Sequence, residues 1–109
     1  GSRVLVLGVA YKENIDDVRE SPALDIIEQL RHRGAEVRFH DPLVKAIDFD
    51  SETLLAVPLE AAELRETDCA VVVTAHRGID YLAILEAVPL LVDTRNCLVG
   101  VRDPKLFRL

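Results

Sequence analysis

The sequence has no methionine and no tryptophan, and aromatic residues make up only 5% of its 109 positions. It has two cysteines, Cys69 and Cys97, too few for a disulfide framework. Its longest apolar stretches run to about five residues, as in Cys69-Ala70-Val71-Val72-Val73. A membrane helix needs roughly 20, so no membrane role is expected. No charged-then-apolar leader opens the chain. Two reduced thiols in a cytoplasmic protein are the expectation. Positive charge is also scarce: 13 basic residues face 19 acidic ones, a net charge of −6. That balance argues against a nucleic-acid binder working by broad phosphate neutralisation. A single phosphate site built from two or three local cations stays open.

With no initiator methionine, Gly1-Ser2 reads as an expression scar and the rest as a piece of a longer chain. Residues 3–109 are of a size for one domain. Half of the residues are apolar, enough for a core without a metal or disulfide staple.

Short β-branched runs alternate with helical stretches. Arg3 to Val9 is nearly all apolar, as in a strand covered on both faces. A polar loop follows, from Ala10 to about Ser21. Ser21-Pro22 then opens a helix: serine caps free N–H groups, and proline suits the first helical position. Ala23, Ile26, Ile27 and Leu30 share one face. Arg31, His32 and Arg33 fill the last turn, and Gly34 ends it. Glu36 to Asp41 alternates like a strand and Pro42 stops it. Residues 43–57 read as an exposed, irregular connection with one short helical turn. Pro58 to Glu66 reads as a helix, Cys69 to Thr74 as a strand, Asp80 to Ala87 as a helix and Leu90 to Asp93 as a strand. The tail from Pro104 reads as a helical turn or as unstructured.

This alternation predicts an α/β, Rossmann-like three-layer domain with a mainly parallel sheet of four or more strands. Ligands of such sheets sit outside the carboxyl ends of the strands. Four strand exits therefore matter: Ala10 to Asp17, His40-Asp41, Ala75-His76-Arg77 and Thr94-Arg95-Asn96.

The first exit lacks the Gly-x-Gly-x-x-Gly fingerprint of a dinucleotide site. Gly8-Val9-Ala10-Tyr11-Lys12-Glu13 holds one of the three glycines, and Gly8 reads as a point of close backbone packing. The loop is dense in charge: Lys12, Glu13, Asp16, Asp17, Arg19 and Glu20. Lys12 and Arg95 leave two strands at the same edge. A forked guanidinium and a point ammonium together suit a phosphate or diphosphate. Asp16, Asp17 and Arg19 read as an ion-pair network that shapes the loop. His32, His40 and His76 lack metal-ligand spacing, so no metal site is expected. His32 reads as a surface residue, and His76 as a core residue or one facing a ligand. Cys69 reads as buried core. Cys97 has no histidine beside it in sequence to activate a thiol and reads as structural. No set of catalytic side chains is visible.

The residues carry a resemblance beyond this. Val6-Leu7-Gly8-Val9-Ala10-Tyr11-Lys12, Ile15-Asp16-Asp17-Val18-Arg19-Glu20-Ser21-Pro22, Gly34-Ala35-Glu36-Val37 and His40-Asp41-Pro42 resemble the C-terminal, UDP-binding domain of the UDP-glucose/GDP-mannose dehydrogenase superfamily. Asp68 to His76, Asp80-Tyr81 and Val92-Asp93-Thr94-Arg95-Asn96 match as well. The wording of residues 15–22 is most similar to the branch that oxidises UDP-N-acetylhexosamines. UDP-glucose 6-dehydrogenase is the near alternative, and a stand-alone anion-binding or interaction module the more distant one.

The resemblance implies an NAD-dependent oxidoreductase that turns the sugar C6 hydroxyl into a carboxylate, for surface-polysaccharide precursors. It implies that NAD and the catalytic cysteine and lysine belong to preceding domains, with which this one would pack in a homo-oligomer. This chain alone would then be inactive, with no catalytic residue of its own. Tyr11, Lys12 and Arg95 match the family's contacts to the substrate nucleotide. Asp17 and Arg19 match positions where loop shaping or an interdomain contact is expected.

Overall fold

The computed structural model describes residues 2–10, 21–49 and 52–108. In chain order its elements are β1 (Arg3–Leu7), α1 (Pro22–His32), β2 (Glu36–His40), β3 (Ala46–Phe49), β4 (Glu52–Leu55), α2 (Ala61–Arg65), β5 (Cys69–Val72), α3 (Tyr81–Ala87), β6 (Leu91–Asp93) and β7 (Leu106–Arg108).

Five of the strands form one sheet in the order β2-β1-β5-β6-β7, and every neighbouring pair is parallel. All five carboxyl ends therefore lie along one edge. Successive residues of β1 point to opposite faces. Val4 and Val6 pack with Ala23 and Ile27 of α1, Phe39, Val44 and Ile47. Leu5 and Leu7 pack with Tyr81, Ile84 and Leu85 of α3 on the other face. Burial on both faces is why β1 reads as a continuous apolar run rather than an alternating one. The result is the three-layer, mainly parallel domain expected from the sequence.

α1 begins where expected. The Ser21 hydroxyl accepts from the Ala23 amide at 3.1 Å, and Pro22 takes the first helical position. The helix ends at Gly34, whose φ is +87°, with the Ala35 amide donating to the Leu30 carbonyl. That pairing is the six-to-one bond of a glycine-terminated helix.

Three readings need correction. Residues 43–57 are not an irregular connection: β3 and β4 pair antiparallel, Ala46 with Leu55 through Phe49 with Glu52. Buried Ile47 and half-buried Leu54 share the inward face with Glu52, which pairs with Arg31 of α1, while Asp48 and Thr53 lie on the outer face, hydrogen-bonded to each other at 3.0 Å. The period was two, but Glu52 on the inner face and the exposed Leu55 on the outer one disguised it. The Pro58–Glu66 helix shrinks to Ala61–Arg65, because Glu60 offers no side-chain cap to start it earlier. The tail is neither helical nor unstructured: Leu106 to Arg108 forms the edge strand beside β6.

Candidate functional site

The sheet order fixes where a ligand belongs. From β1 the chain crosses to β2, then returns past β1 to β5. The switch point thus falls between the exits of β1 and β5, where open α/β sheets open a crevice.

Gly8 makes that junction tight. Its φ is +86°, and a Cβ added there would lie 2.2 Å from the Thr74 carbonyl oxygen. The Gly8 amide donates to the His40 carbonyl at 2.8 Å. Glycine is required on both counts, conformational and steric. The expected close-packing role of Gly8 is what the geometry shows.

Asp41 gathers the exits together. It is 2% exposed. Its Oδ2 accepts from the Val9 amide at 2.9 Å, the Ala10 amide at 3.4 Å and His76 Nε2 at 2.9 Å. Its Oδ1 accepts from the Leu43 and Val44 amides at 2.8 and 3.1 Å. One carboxylate thereby ties the exits of β1, β2 and β5. His76 is therefore a buried partner of Asp41 rather than a residue facing a ligand, and Nε2 is the ring nitrogen that carries the donated proton. The Ala10 carbonyl is held too, by the Thr74 hydroxyl at 2.6 Å and the Ser21 hydroxyl at 3.4 Å.

Asp93 does the same for the β6 exit. Its carboxylate accepts from the Arg95, Cys97 and Leu98 amides at 3.0, 3.3 and 3.2 Å, and from the Cys97 thiol at 3.5 Å. Burial opposes its ionisation, but these donors outweigh it and hold the carboxyl below the usual carboxylate pKa. Burial and the neighbouring Asp93 charge push the Cys97 thiol up to about 12. That is the reverse of an activated nucleophile. Burial likewise pushes the Tyr81 phenol up to about 12, with Cys97 adding to the effect.

Arg95 is exposed at this exit, its backbone fixed by Asp93. Tyr11, Lys12, Asp17 and Arg19 lie outside the described residues. His32 is exposed at the end of α1. On the α2–α3 face a groove of about 350 Å³ opens beside the β2 exit, lined by His40, Pro42, Leu59, Arg77 and Ile79. His40 Nδ1 donates to the Val57 carbonyl at 2.7 Å. Among the described residues no group of three histidine, cysteine or acidic side chains is placed to hold a metal. No helix of the described residues is long and apolar enough to cross a membrane.

Asp41 and Asp93 carry most of this geometry, yet the residue patterns gave them no role. The only signal was an aspartate at a strand exit, since their partners are backbone amides, which no residue pattern displays.

A sequence profile of the UDP-glucose/GDP-mannose dehydrogenase family, UDP binding domain, matches residues 5–100. UDP-glucose 6-dehydrogenase of Rhizobium meliloti is 36% identical over 88% of this chain and 23% of its own length. UDP-N-acetyl-D-mannosamine dehydrogenase of Methanococcus vannielii is 29% identical over 88% of this chain and 23% of its own. The chain thus spans about a quarter of the length of these relatives. Among solved structures, the UDP-D-ManNAc dehydrogenase of Pyrococcus horikoshii superposes with a TM-score of 0.77, at 26% identity, over 98% of this chain and 25% of that one.

Proposed function

The chain belongs to the UDP-glucose/GDP-mannose dehydrogenase family as its UDP-binding domain, and from that premise we propose that it grips the UDP half of a UDP-sugar whose C6 hydroxyl a longer polypeptide oxidises to a carboxylate. The observation that carries this reading is the exit of Arg95 from β6 at the carboxyl edge, exposed and with its backbone held by Asp93. A guanidinium there, with Lys12 from the β1 exit, suits a diphosphate. Tyr11 stands beside Lys12 in sequence as the contact to the nucleoside. Asp17 and Arg19 shape the loop or meet a neighbouring domain.

The domain's contribution to the reaction is positional. Binding energy from the remote nucleotide holds C6 in place for chemistry done by other residues. NAD, the expected oxidant, is assigned to another domain because the dinucleotide fingerprint is incomplete here. Between β1 and α1 the sequence holds only Gly8 of the three fingerprint glycines, and the backbone at Gly8 packs against Thr74. NAD belongs to a separate domain of the longer polypeptide, within a homo-oligomer in the cytoplasm that serves surface-polysaccharide synthesis. Residues 3–109 form the single domain in question.

The wording of residues 15–22 supports a UDP-N-acetylhexosamine as substrate. The 36% identity to a UDP-glucose 6-dehydrogenase supports UDP-glucose as the second reading. Oxidation rates of both by the longer polypeptide separate these two.

The direct test is an amide NMR titration of the 109-residue chain with UDP, against GDP and NAD. UDP should shift Tyr11, Lys12 and the residues around Arg95, and Arg95→Ala should weaken UDP binding about tenfold, the loss of one charged hydrogen bond. In the longer polypeptide the same change should raise KM for the UDP-sugar and leave NAD affinity unchanged. Saturating UDP with no shift at these positions, or an equal response to NAD, refutes the reading.

A further inference from the structure

We infer that Arg108 of β7 is a positioning residue for Arg95: from the edge strand it staples the segment that follows Arg95, and so sets how well that guanidinium holds a nucleoside diphosphate. This rests on the UDP reading above.

The segment leaving β6 is gripped by two side chains of opposite charge. Asp93 and Arg108 are paired in register across β6 and β7. Asp93 accepts from the amides of Arg95, Cys97 and Leu98. Nη2 of Arg108 donates to the carbonyls of Leu98 and Val101. The anion thus takes N–H groups of the segment and the cation takes its carbonyls. Leu98 is the residue they share, its amide on Asp93 and its carbonyl on Arg108. That carbonyl also accepts from the Val101 amide at 3.2 Å, closing a turn in which Gly100 has a φ of +78°.

Arg95 lies just before this shared residue, in a stretch that does not hold itself. The φ of Asn96 is +56°, a left-handed conformation uncommon outside glycine, though asparagine adopts it more readily than most. Such a conformation persists where its surroundings fix it. On the strand side the fixed point is Thr94, whose amide and hydroxyl both donate to the Val72 carbonyl, at 3.3 and 2.5 Å. On the far side it is Leu98. The Leu98 side chain is buried in the core, but apolar burial is non-directional. The bonds to Asp93 and Arg108 are what orient the peptide planes on either side of it. Without Arg108 the second plane keeps only its turn bond to Val101. The Cys97 and Leu98 amides then leave Asp93 more often, and Arg95 samples more directions. A nucleotide must order the turn as it binds, and affinity falls.

The experiment compares Arg108→Met, which keeps an unbranched stem and removes the donors, with Arg108→Lys. Both bonds come from one nitrogen, and a lysine ammonium offers its donors from a single point in the same way. UDP affinity is measured by titration, in the otherwise unchanged chain and in Arg95→Ala. Amide hydrogen exchange at Cys97 and Leu98 is read beside that at Ala70 and Val73, whose amides donate to the Leu90 and Leu7 carbonyls. Arg108→Met should weaken UDP about fivefold, as for one ordinary hydrogen bond, and speed exchange at Cys97 and Leu98 by about as much relative to Ala70 and Val73. Arg108→Lys should restore both. In Arg95→Ala the same methionine should change UDP affinity by less than about twofold, because a brace acting through Arg95 has nothing left to position. Losses that simply add overturn the inference, since a cation meeting or attracting the phosphates by itself would give that result. It is also overturned if Cys97 and Leu98 stay as protected as before, if all four amides loosen together, or if lysine fails to restore what methionine removes. Should Arg108→Met not fold, Arg108→Thr, a residue suited to strands, must give the same pattern. A wild-type chain that ignores UDP refutes the UDP reading and the nucleotide role of Arg108 with it. A chain that binds UDP, and loses affinity in Arg95→Ala but not in Arg108→Met, refutes this inference alone.

Discussion

Gly8→Ala should be among the most damaging single-methyl additions this fold can receive. Two costs add. An L-residue at a φ of +86° pays about 1–2 kcal/mol in backbone strain. The new Cβ would also sit 2.2 Å from the Thr74 carbonyl oxygen, 2.7 Å from its Cβ and 2.9 Å from its carbonyl carbon. None of these atoms is the end of a flexible side chain. Relief requires the β1 and β5 exits to part by roughly 1 Å, overpacking that costs about 1–3 kcal/mol. Parting them stretches the Thr74 amide bond to the Leu7 carbonyl and the Thr74 hydroxyl bond to Ala10. The sum is about 2–5 kcal/mol, a large share of the roughly 5–15 kcal/mol that stabilises a domain. Gly34→Ala is the internal control. Its φ is +87°, but no atom lies within 4 Å of the added Cβ, so the backbone strain of about 1–2 kcal/mol is all it should cost. At about 4–8 °C per kcal/mol, the steric cost of about 1–3 kcal/mol should make Gly8→Ala lose at least about 4 °C more in Tm than Gly34→Ala, in thermal unfolding followed by far-UV circular dichroism. Equal losses in the two variants would refute the steric argument.

Two further outcomes follow from the titrating groups. The Asp93 carboxyl is held below its ordinary pKa, so its charge adds stability above the unfolded value near 4 and loses it as pH falls through the lower folded value. Asp93→Asn should cost about 2 kcal/mol at pH 7 and flatten the acid limb of a urea-midpoint profile; parallel limbs below pH 4 would contradict this. Asp68, lowered by the Arg3 backbone and side chain, acts in both proteins, so the difference between them is the diagnostic quantity. Cys97, with its thiol near 12, should react with iodoacetamide at pH 8 at least about a hundredfold more slowly than in the unfolded chain, and Cys69, raised by burial, more slowly as well. Mass spectrometry of labelled peptides checks this, and labelling of Cys97 at the unfolded rate would show its environment to be misjudged.

What could be read from the sequence was what depends on neighbours in sequence. Ser21-Pro22 and Gly34 bound α1 because caps are local devices. The apolar runs at β1 and β5 announce a doubly covered sheet. The hairpin was missed because its inward apolar residues are few, with Glu52 among them and the apolar Leu55 on the outer face. β7 was missed because three residues with a single buried leucine carry no periodic signal. The strand exits were found from alternation alone, and Arg95 with them. The aspartates that organise those exits were not, because their partners arrive from turns and from strands far away in the chain.

Those two aspartates also bear on why the site should depend on side-chain cations. At the strand exits, the amides of Val9, Ala10, Leu43 and Val44 are turned toward Asp41, and those of Arg95, Cys97 and Leu98 toward Asp93. Gly8, Thr74 and Thr94 give theirs to carbonyls of neighbouring strands. Each of these N–H groups is thereby spent inside the protein. Many phosphate sites rely instead on free backbone amides at a glycine-rich turn. Here such a cradle cannot form from the amides named, and a diphosphate above the edge would also face a buried anion at Asp93. Only a cation standing between the two can offset that repulsion. On the UDP reading Arg95 holds that place at the β6 exit, which is why its removal should weaken the nucleotide grip while the sheet beneath stays intact.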